Sequence, residues 1–576
     1  MENKPDEGSA DNLPANATEF IRQVVREMGY HRKARQEVEA ELAAHFEDEL
    51  SGCTETQERE HKTQRLIGEF GDAKLLAVLC RRGKKRCRPL WAKAMMRSLQ
   101  AAGVLVVVLS LYTVWFVNGK PRVTVDYLAL LNRMSRPETA REDNAWSHYE
   151  QVVALVVQPG HELQEMPAFR NPGDAKYRNF AKLPQEARHT IEKWIEANRR
   201  AWEHFIVASS KPYLAVPYQN HRDIVDRWLF HIRLPDLSAI DLLSRVGIWQ
   251  CRINLEQGRT AEALESSLTV ARVGAHWQRS GTPIEQLAGL RISRMGHNEV
   301  LQVVASVGLS LSELSDLQRK LASIYPDPYP LVDAEYERLV LLDMVQHVFT
   351  NGGPGGGHLV PPSSRGPVHT AMKESCPTAV KIPLLRAALS VVHARRAETV
   401  AKVEQVYDHY RELSFLSPYQ RRTRAVVTVG EMVESLPKHR YALVRSSIPS
   451  LDRMIDIRFQ GRALHQATLT ILALQRYRQE KGSYPAGLEE LKQAGYLDVL
   501  PADPYSDKPL SYKVAGGNFT LYSLGPDFHD DGGNAGLPTG LRKADREIGS
   551  PRGGPGQPKP WADKGDTVFW PPVHVP

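Results

Sequence analysis

Ser98–Val117, SLQAAGVLVVVLSLYTVWFV, is the stretch on which the reading of this sequence turns. Its twenty residues carry no charge. At a rise of ~1.5 Å per residue they make about 30 Å of helix, the thickness of a bilayer's hydrocarbon. The segment therefore predicts one transmembrane helix. Just before it, Arg81, Arg82, Lys84, Lys85, Arg86, Arg88, Lys93 and Arg97 follow one another with no acidic residue between them. Basic flanks stay on the cytoplasmic side, and Tyr112 and Trp115 near the far end suit the opposite headgroup layer. The expectation is a single-pass protein of the cytoplasmic membrane, with its N-terminus inside and everything from about Asn118 outside. A cleaved signal peptide would place its apolar core much nearer the N-terminus. A buried core helix of this length would carry a polar face.

Working outward, 576 residues with 42% hydrophobic content exceed one core and predict several folded units. Net charge is +7. Its concentration before the span reads as a contact with anionic membrane lipid rather than nucleic acid, because no recognition helix or interleaved aromatic residues accompany it. Five cysteines make no disulfide framework. Cys53, Cys80 and Cys87 fall on the inner side without zinc spacing. Cys251 and Cys376 fall outside, as a pair or as two buried thiols.

Residues 1–17 read as a polar, disordered tail. Thr18 is placed to cap a helix carrying Phe20, Ile21, Val24, Val25 and Met28, which Gly29 ends. A second helix from Arg32 repeats Ala34, Val38, Leu42, Phe46 and Leu50 among acidic residues, and Gly71-Asp72 separates a third from a fourth. His45 reads as a surface or half-buried side chain. RKARQEVEAELAAHFEDEL followed by FGDAKLLAVLCRR resembles the HAAS-type helical domain of bacterial membrane proteins over residues 18–82. That resemblance implies a cytoplasmic signalling or interaction module, joined through a basic segment, 83–97, to the span at 98–117.

Residues 118–445 read as an irregular α-helical domain without a fixed repeat. LSAIDLLSRVGIWQCRINLEQGRTAEALESSLTVARVGAHW predicts two helices joined at Gly258, with Leu264, Leu268 and Ala271 along one face of the second. Ser310 and Glu313 form a capping box. NGGPGGGHLVPPSSRGP, 351–367, lacks the ending of a phosphate loop and reads as a flexible surface insertion. His276, His297 and His347 read as structural or solvated. No catalytic motif is present, so the chain is read as non-enzymatic.

From Met454 a long helix carries Leu464, Ala467, Ile471 and Leu474, and EKGSYP ends it. A short helix follows, then two alternating segments around AGGN that signal a β-hairpin. The hairpin runs into YSLGPDFHDDGG, 522–533, where Asp527, Asp530 and Asp531 crowd into one turn. Carboxylates held this close repel one another unless a hard cation such as Ca²⁺ joins them, with glycines letting backbone carbonyls turn inward. The alternative is a solvated turn that uses Asp and Gly only as turn formers.

The order ALQRYRQEKGSYP, LEELKQAGYL, LPADPYSDKPLSYKV and FTLYSLGPDFHDDGG resembles the C-terminal domain of the major pseudopilin of type II secretion. The resemblance implies an α+β head over residues 446–576 and a bound calcium, held by Asp527, by Asp530 or Asp531, and by Asp566 in GDTVFW. A pseudopilin's span would run straight into its long helix, whereas here more than 300 residues intervene, and the processing signature is missing. The fold expected is thus mainly α: a small helical domain, one transmembrane helix, a large irregular helical domain and the α+β head. The function expected is a non-enzymatic membrane protein binding other envelope or secretion proteins. Alternatives are an accessory of type II secretion and an envelope hydrolase with an unrecognised site.

Overall fold

The uncharged stretch is helical throughout. In the computed structural model, which describes residues 13–86, 90–117, 119–135, 141–170, 179–220, 228–325, 329–360, 383–449, 451–534 and 565–572, it lies inside α5 (Leu90–Val117). Ala94–Phe116 is long and apolar enough to cross a membrane, with a mean hydropathy of 1.9. Only 6% of that window is buried, which sets it apart from a core helix. The chain divides into two compact units, Met1–Phe116 and Val117–Pro576.

The first unit packs α1 (Ala15–Glu27), α2 (Arg32–Leu50), α3 (Thr56–Phe70) and α4 (Ala73–Arg86) around one small core. Phe20, Ile21 and Val24 of the first helix and Met28 just after it are buried, as are Ala34, Val38, Leu42, Phe46 and Leu50. Phe20, Phe46 and Phe70 meet with ring centroids 5.5–6.3 Å apart. The expected Thr18 cap is corrected. Pro14 occupies the cap position, where a fixed φ and a missing N–H cost nothing, and the Thr18 hydroxyl bonds back to Pro14 O from inside the first turn. His45 is exposed and rests edge-on against Phe70.

The second unit is mainly helical. Its framework is α6 (Trp146–Leu155), α7 (Arg199–Ser210), α8 (Leu237–Glu256), α9 (Thr260–Trp277), α10 (Pro283–Ser306), α11 (Leu311–Ala322), α12 (Glu335–Val348), α13 (Arg396–Ser414) and α14 (Leu451–Lys481), with further helices between them, Gln185–Ala197 and Pro383–Val392 among them. A two-stranded antiparallel ribbon pairs β1 (Gln219–Asn220) with β2 (Ile232–Arg233). The cap expected at Ser310 is in place. Ser310 and Glu313 close a capping box on α11, and Thr282, Pro283 and Glu285 do the same for α10. The helices α9 and α10 pack along Ser267, Ala271 and Gly274 against Gly289, Ser293 and Gly296, so closely that a Cβ on Gly274 or Gly289 would lie 2.2 Å from the facing backbone. Across α8 and α10, buried Arg252 donates to both oxygens of Glu299 at 2.8 and 3.0 Å while its guanidinium covers Trp249.

One core joins regions that the sequence reading draws apart. Leu264, Leu268 and Ala271 of α9 and Leu314, Leu317 and Leu321 of α11 pack with Leu464, Ala467, Ile471 and Leu474 of α14 and with Phe519, Leu521 and Trp570 of the C-terminal sheet. Regions 118–445 and 446–576 thus fall within a single compact unit. The glycine-rich segment also differs from expectation. Residues 351–356 are exposed, but Gly357, His358 and Leu359 are buried as the chain folds back, with Thr350 N–H donating to His358 O and Phe349 bridging Leu359. Residues 361–367 of that segment, with Cys87 and Cys376, lie outside the described residues.

Candidate functional site

The C-terminal module is built on a hairpin. Strand β3 (Ser511–Ala515) pairs antiparallel with β4 (Asn518–Ser523), and Ala515 faces Asn518 across Gly516-Gly517. Both glycines have positive φ, +58° and +78°, which is the two-residue turn whose twist matches the strands. A third strand, β5 (Thr567–Trp570), pairs antiparallel with β4 on its other edge. Trp570 stacks on Phe519 at 5.5 Å, and its indole N–H donates to Asn518. Sequence reasoning did not assign this strand, although TVFW is β-branched and aromatic and is bounded by Gly-Asp and Pro-Pro, the composition of a short strand.

Strand β5 brings Asp566 to the aspartate turn. Its Oδ2 accepts from Gly533 N–H at 2.6 Å and its Oδ1 from Asp531 N–H at 3.3 Å. In the opposite sense, Asp527 Oδ2 accepts from Gly565 N–H at 2.9 Å, and its Oδ1 accepts from His529 N–H. The two carboxylates form a reciprocal clasp between the tail and the turn. Asp530 Oδ1 accepts from the Tyr522 hydroxyl at 3.0 Å and from Gly532 N–H at 2.9 Å. Asp531 Oδ1 lies 3.2 Å from His529 Nδ1. All four sequence-predicted residues therefore gather in one place, although 35 positions separate Asp531 from Asp566.

Their electrostatics follow from this crowding. Burial pushes the Asp566 carboxyl up, its two N–H donors pull it down, and the Asp530 and Asp531 carboxylates push it up again. Asp530 is held below the usual carboxylate range, chiefly by Gly532 N–H. Lys513 lies over the Tyr522 ring at 5.2 Å and is raised by the Tyr522 hydroxyl first and then by Asp530 and Asp566, so one cation of the chain already stands beside the cluster. These are the hard oxygen ligands that calcium takes. As arranged, however, the carboxylates turn toward N–H and O–H donors, and among the described residues no three His, Cys, Asp or Glu side chains converge on a point where one ion could sit.

A residue that sequence reasoning passed over supports the turn from beneath. Asp503 is fully buried, and its Oδ1 accepts from Tyr505 N–H at 3.0 Å and from the Ser523 hydroxyl at 2.6 Å. Its Oδ2 accepts from Leu524 N–H and the Ser506 hydroxyl. Asp503 thereby fixes the end of β4, where the aspartate turn begins. The signal was its place before Pro504 with Ser506 three residues on, an Asx-turn pattern. On the outer side, Arg422 covers the Phe528 ring at 4.5 Å and Tyr419 N–H donates to Pro504 O.

The hydrolase alternative looks to the middle of the unit. A cavity of about 240 Å³ there is lined by Leu131, Met134, Arg279, Ser280, Asp333 and Tyr336, among others. Its serines are committed to helix carbonyls, Ser280 to Trp277 O and Ser135 to Leu131 O, and among the described residues no histidine lines it. The described lining thus pairs no serine with a histidine. Nearby, His297 and His465 meet at 3.0 Å, and Ser293 bonds Tyr325, but all four residues are buried and stand in the interhelical core. His276 is likewise held between Tyr149 and Lys211 O, and His347 stacks on Trp228. Cys251 is a buried free thiol, pushed far up by burial.

No family model matches this chain, and no curated protein or solved structure matches it either. The two resemblances rest on the residues quoted for them.

Proposed function

We propose that this chain is a single-pass membrane protein without catalytic activity: a cytoplasmic interaction or signalling module joined through one span to an extracytoplasmic region that binds partner proteins. The observation that carries this reading is α5, long, apolar and laid bare over Ala94–Phe116. Its orientation follows from the basic residues between Arg81 and Arg97, which belong on the cytoplasmic face. A reporter fused after Pro576 that is active only outside the cytoplasm will be active, and the protein will fractionate with membranes. A reporter active inside, or full-length protein free in solution, would remove the reading.

In this reading the C-terminal module is a pseudopilin-like head whose tail is fastened to the aspartate turn. The gathering of Asp527, Asp530, Asp531 and Asp566 around one turn supports calcium as its ligand, since a divalent cation would offset the burial and the neighbouring carboxylates that raise Asp566. A ligand bound only by the folded state stabilises it by about 2.7 kcal/mol at a hundred times its Kd. Calcium is therefore expected to raise the melting temperature of the full-length protein, with little effect on Asp527→Ala or Asp566→Ala. Asp527→Ala loses the acceptor for the tail's Gly565 N–H and Asp566→Ala the acceptor for the turn's Gly533 and Asp531 N–H groups, so in both β5 should exchange its amide hydrogens faster, by the equivalent of about 1–2 kcal/mol. Faster exchange with an unaltered calcium response would leave a clasp made by hydrogen bonds alone. An accessory role in type II secretion is the second reading, favoured by the same head, and co-purification with inner-membrane secretion components tests it.

A further inference from the structure

Among the described residues of the first unit, α4 leaves an apolar face uncovered. Helix α4 packs inward through Ala73 and Ala77, with Leu76 and Cys80 half-buried, and Lys84 reaches across to Glu37 and Glu41 of α2 at 3.1 and 2.8 Å. That seating turns the opposite face outward. Leu75, Val78 and Leu79 stand 62%, 45% and 54% exposed, at the three- and four-residue steps that share one face. Exposed Arg82 and Lys85 continue the same side by one turn. The outward face is thus an apolar patch leading into a basic one.

We infer that this face of α4 lies in the headgroup layer of the membrane that α5 spans, holding the N-terminal helical module flat against anionic lipid. The inference rests on the membrane reading of α5 and adds a second, interfacial contact to it. Two observations select lipid as the occupant. The first is continuity: three residues separate the end of α4 at Arg86 from the start of α5 at Leu90, and they reach at most about 14 Å. Since Ala94 begins the apolar window one helical turn later, the C-terminal end of α4 stays beside the bilayer surface. The second is charge. Every charged residue from Arg81 to Arg97 is basic, which suits anionic headgroups, and an apolar strip beside a Lys/Arg-rich one is the form of a helix that lies in the interface.

The test uses the full-length protein in vesicles of phosphatidylethanolamine and phosphatidylglycerol, with the photo-crosslinker benzoylphenylalanine incorporated at position 79, at position 107 in α5, or at position 65, where Arg65 on α3 is exposed. Lipid adducts are expected at 79 and 107, with at least several-fold less at 65. The adduct at 79 should fall several-fold when phosphatidylcholine replaces phosphatidylglycerol. A protein–protein adduct at 79 would overturn the inference in favour of a second copy of the chain on this face. Lipid capture at 107 but none at 79 would overturn it while leaving the span intact. Capture at neither position would remove the membrane reading itself.

Discussion

Replacing Gly289 by alanine destabilises the 117–576 unit by about 3 kcal/mol or more, although helix propensity alone favours alanine by about 1 kcal/mol. The sign is decided by what the new methyl meets. Its Cβ would stand 2.2 Å from Gln278 N, 2.6 Å from Gly274 O and 2.6 Å from Trp277 C, all backbone atoms of the facing helix. A clash with a flexible side chain relaxes by rotation, whereas here α9 and α10 must separate. Both helices belong to the interhelical core: Val270, Val273 and Ile292 pack on one side of the pair and Leu268, Val300 and Leu301 on the other. Separation therefore loosens two hydrophobic clusters at once. Gly274→Ala, whose Cβ meets Ser293 N at 2.2 Å, should behave alike. Gly68→Ala, in α3 of the first unit, is the contrast: nothing lies within 4 Å of its Cβ, so propensity acts unopposed and the unfolding of that unit should not come earlier. Urea titrations followed by circular dichroism decide it. A Gly289→Ala midpoint at or above that of the wild type would show that the seam is looser than 2.2 Å implies.

This seam also marks where sequence reasoning stopped. The helices α8 and α9 were legible because Leu264, Leu268 and Ala271 repeat at helical steps and Gly258 punctuates them. The first unit was legible for the same reason, down to the break at Gly71. What periodicity does not carry is partnership. Gly289, Ser293 and Gly296 look like poor helix formers in isolation, and only the facing Ser267, Ala271 and Gly274 make them a contact surface. The same limit hid the shared core of α9, α11 and α14, because an apolar stripe shows that a face is buried without showing against what. Val514 is the converse case. Strand alternation predicts it inward with Leu510 and Tyr512, yet it is 47% exposed on the edge strand of the sheet, while Phe519 directly opposite it on the central strand is buried.

In the candidate site the residues were legible and their geometry was not. Three aspartates within five positions signal a turn, and the resemblance to a pseudopilin head implies a partner in Asp566. The structure brings Asp566 to the turn by way of β5, a strand too short to stand out in the sequence. That Asp527 and Asp566 each accept N–H groups from the other's segment is a matter of backbone direction, which composition does not encode. Asp503 was missed for a related reason: its four bonds converge from two segments about twenty residues apart.

Acid will unfold the second unit through its buried histidines. His276 is held at about 4, first by burial and then by the nearby Arg279 and Arg272, against the helping bond to Lys211 O. His297 is held at about 4 by burial, and His465 at about 3 by burial and by His297. The hydrogen bonds fix the neutral forms. His297 Nδ1–H donates to Ser293 O, leaving Nε2 to accept from His465 Nδ1–H, so a proton on His297 would set two donors face to face at 3.0 Å. Each folded value lies below the unfolded one of about 6.5, so the unfolded chain binds more protons between about 6.5 and 4. Stability is therefore full above pH 6.5 and is lost as pH falls toward 4, by about 3 kcal/mol per independent histidine. His297 and His465 share one contact and count as a coupled pair rather than two independent sites. Glu337 acts in the opposite direction: burial lifts its carboxyl to about 7, so acid neutralises a charge that the fold disfavours. The diagnostic is accordingly a difference in slope. Unfolding free energy measured between pH 6.5 and 4 should fall about 3 kcal/mol less for His276→Gln than for the wild type, whatever the variant's stability at neutral pH. Parallel curves would mean that His276 is already protonated, or water-exposed, in the folded protein.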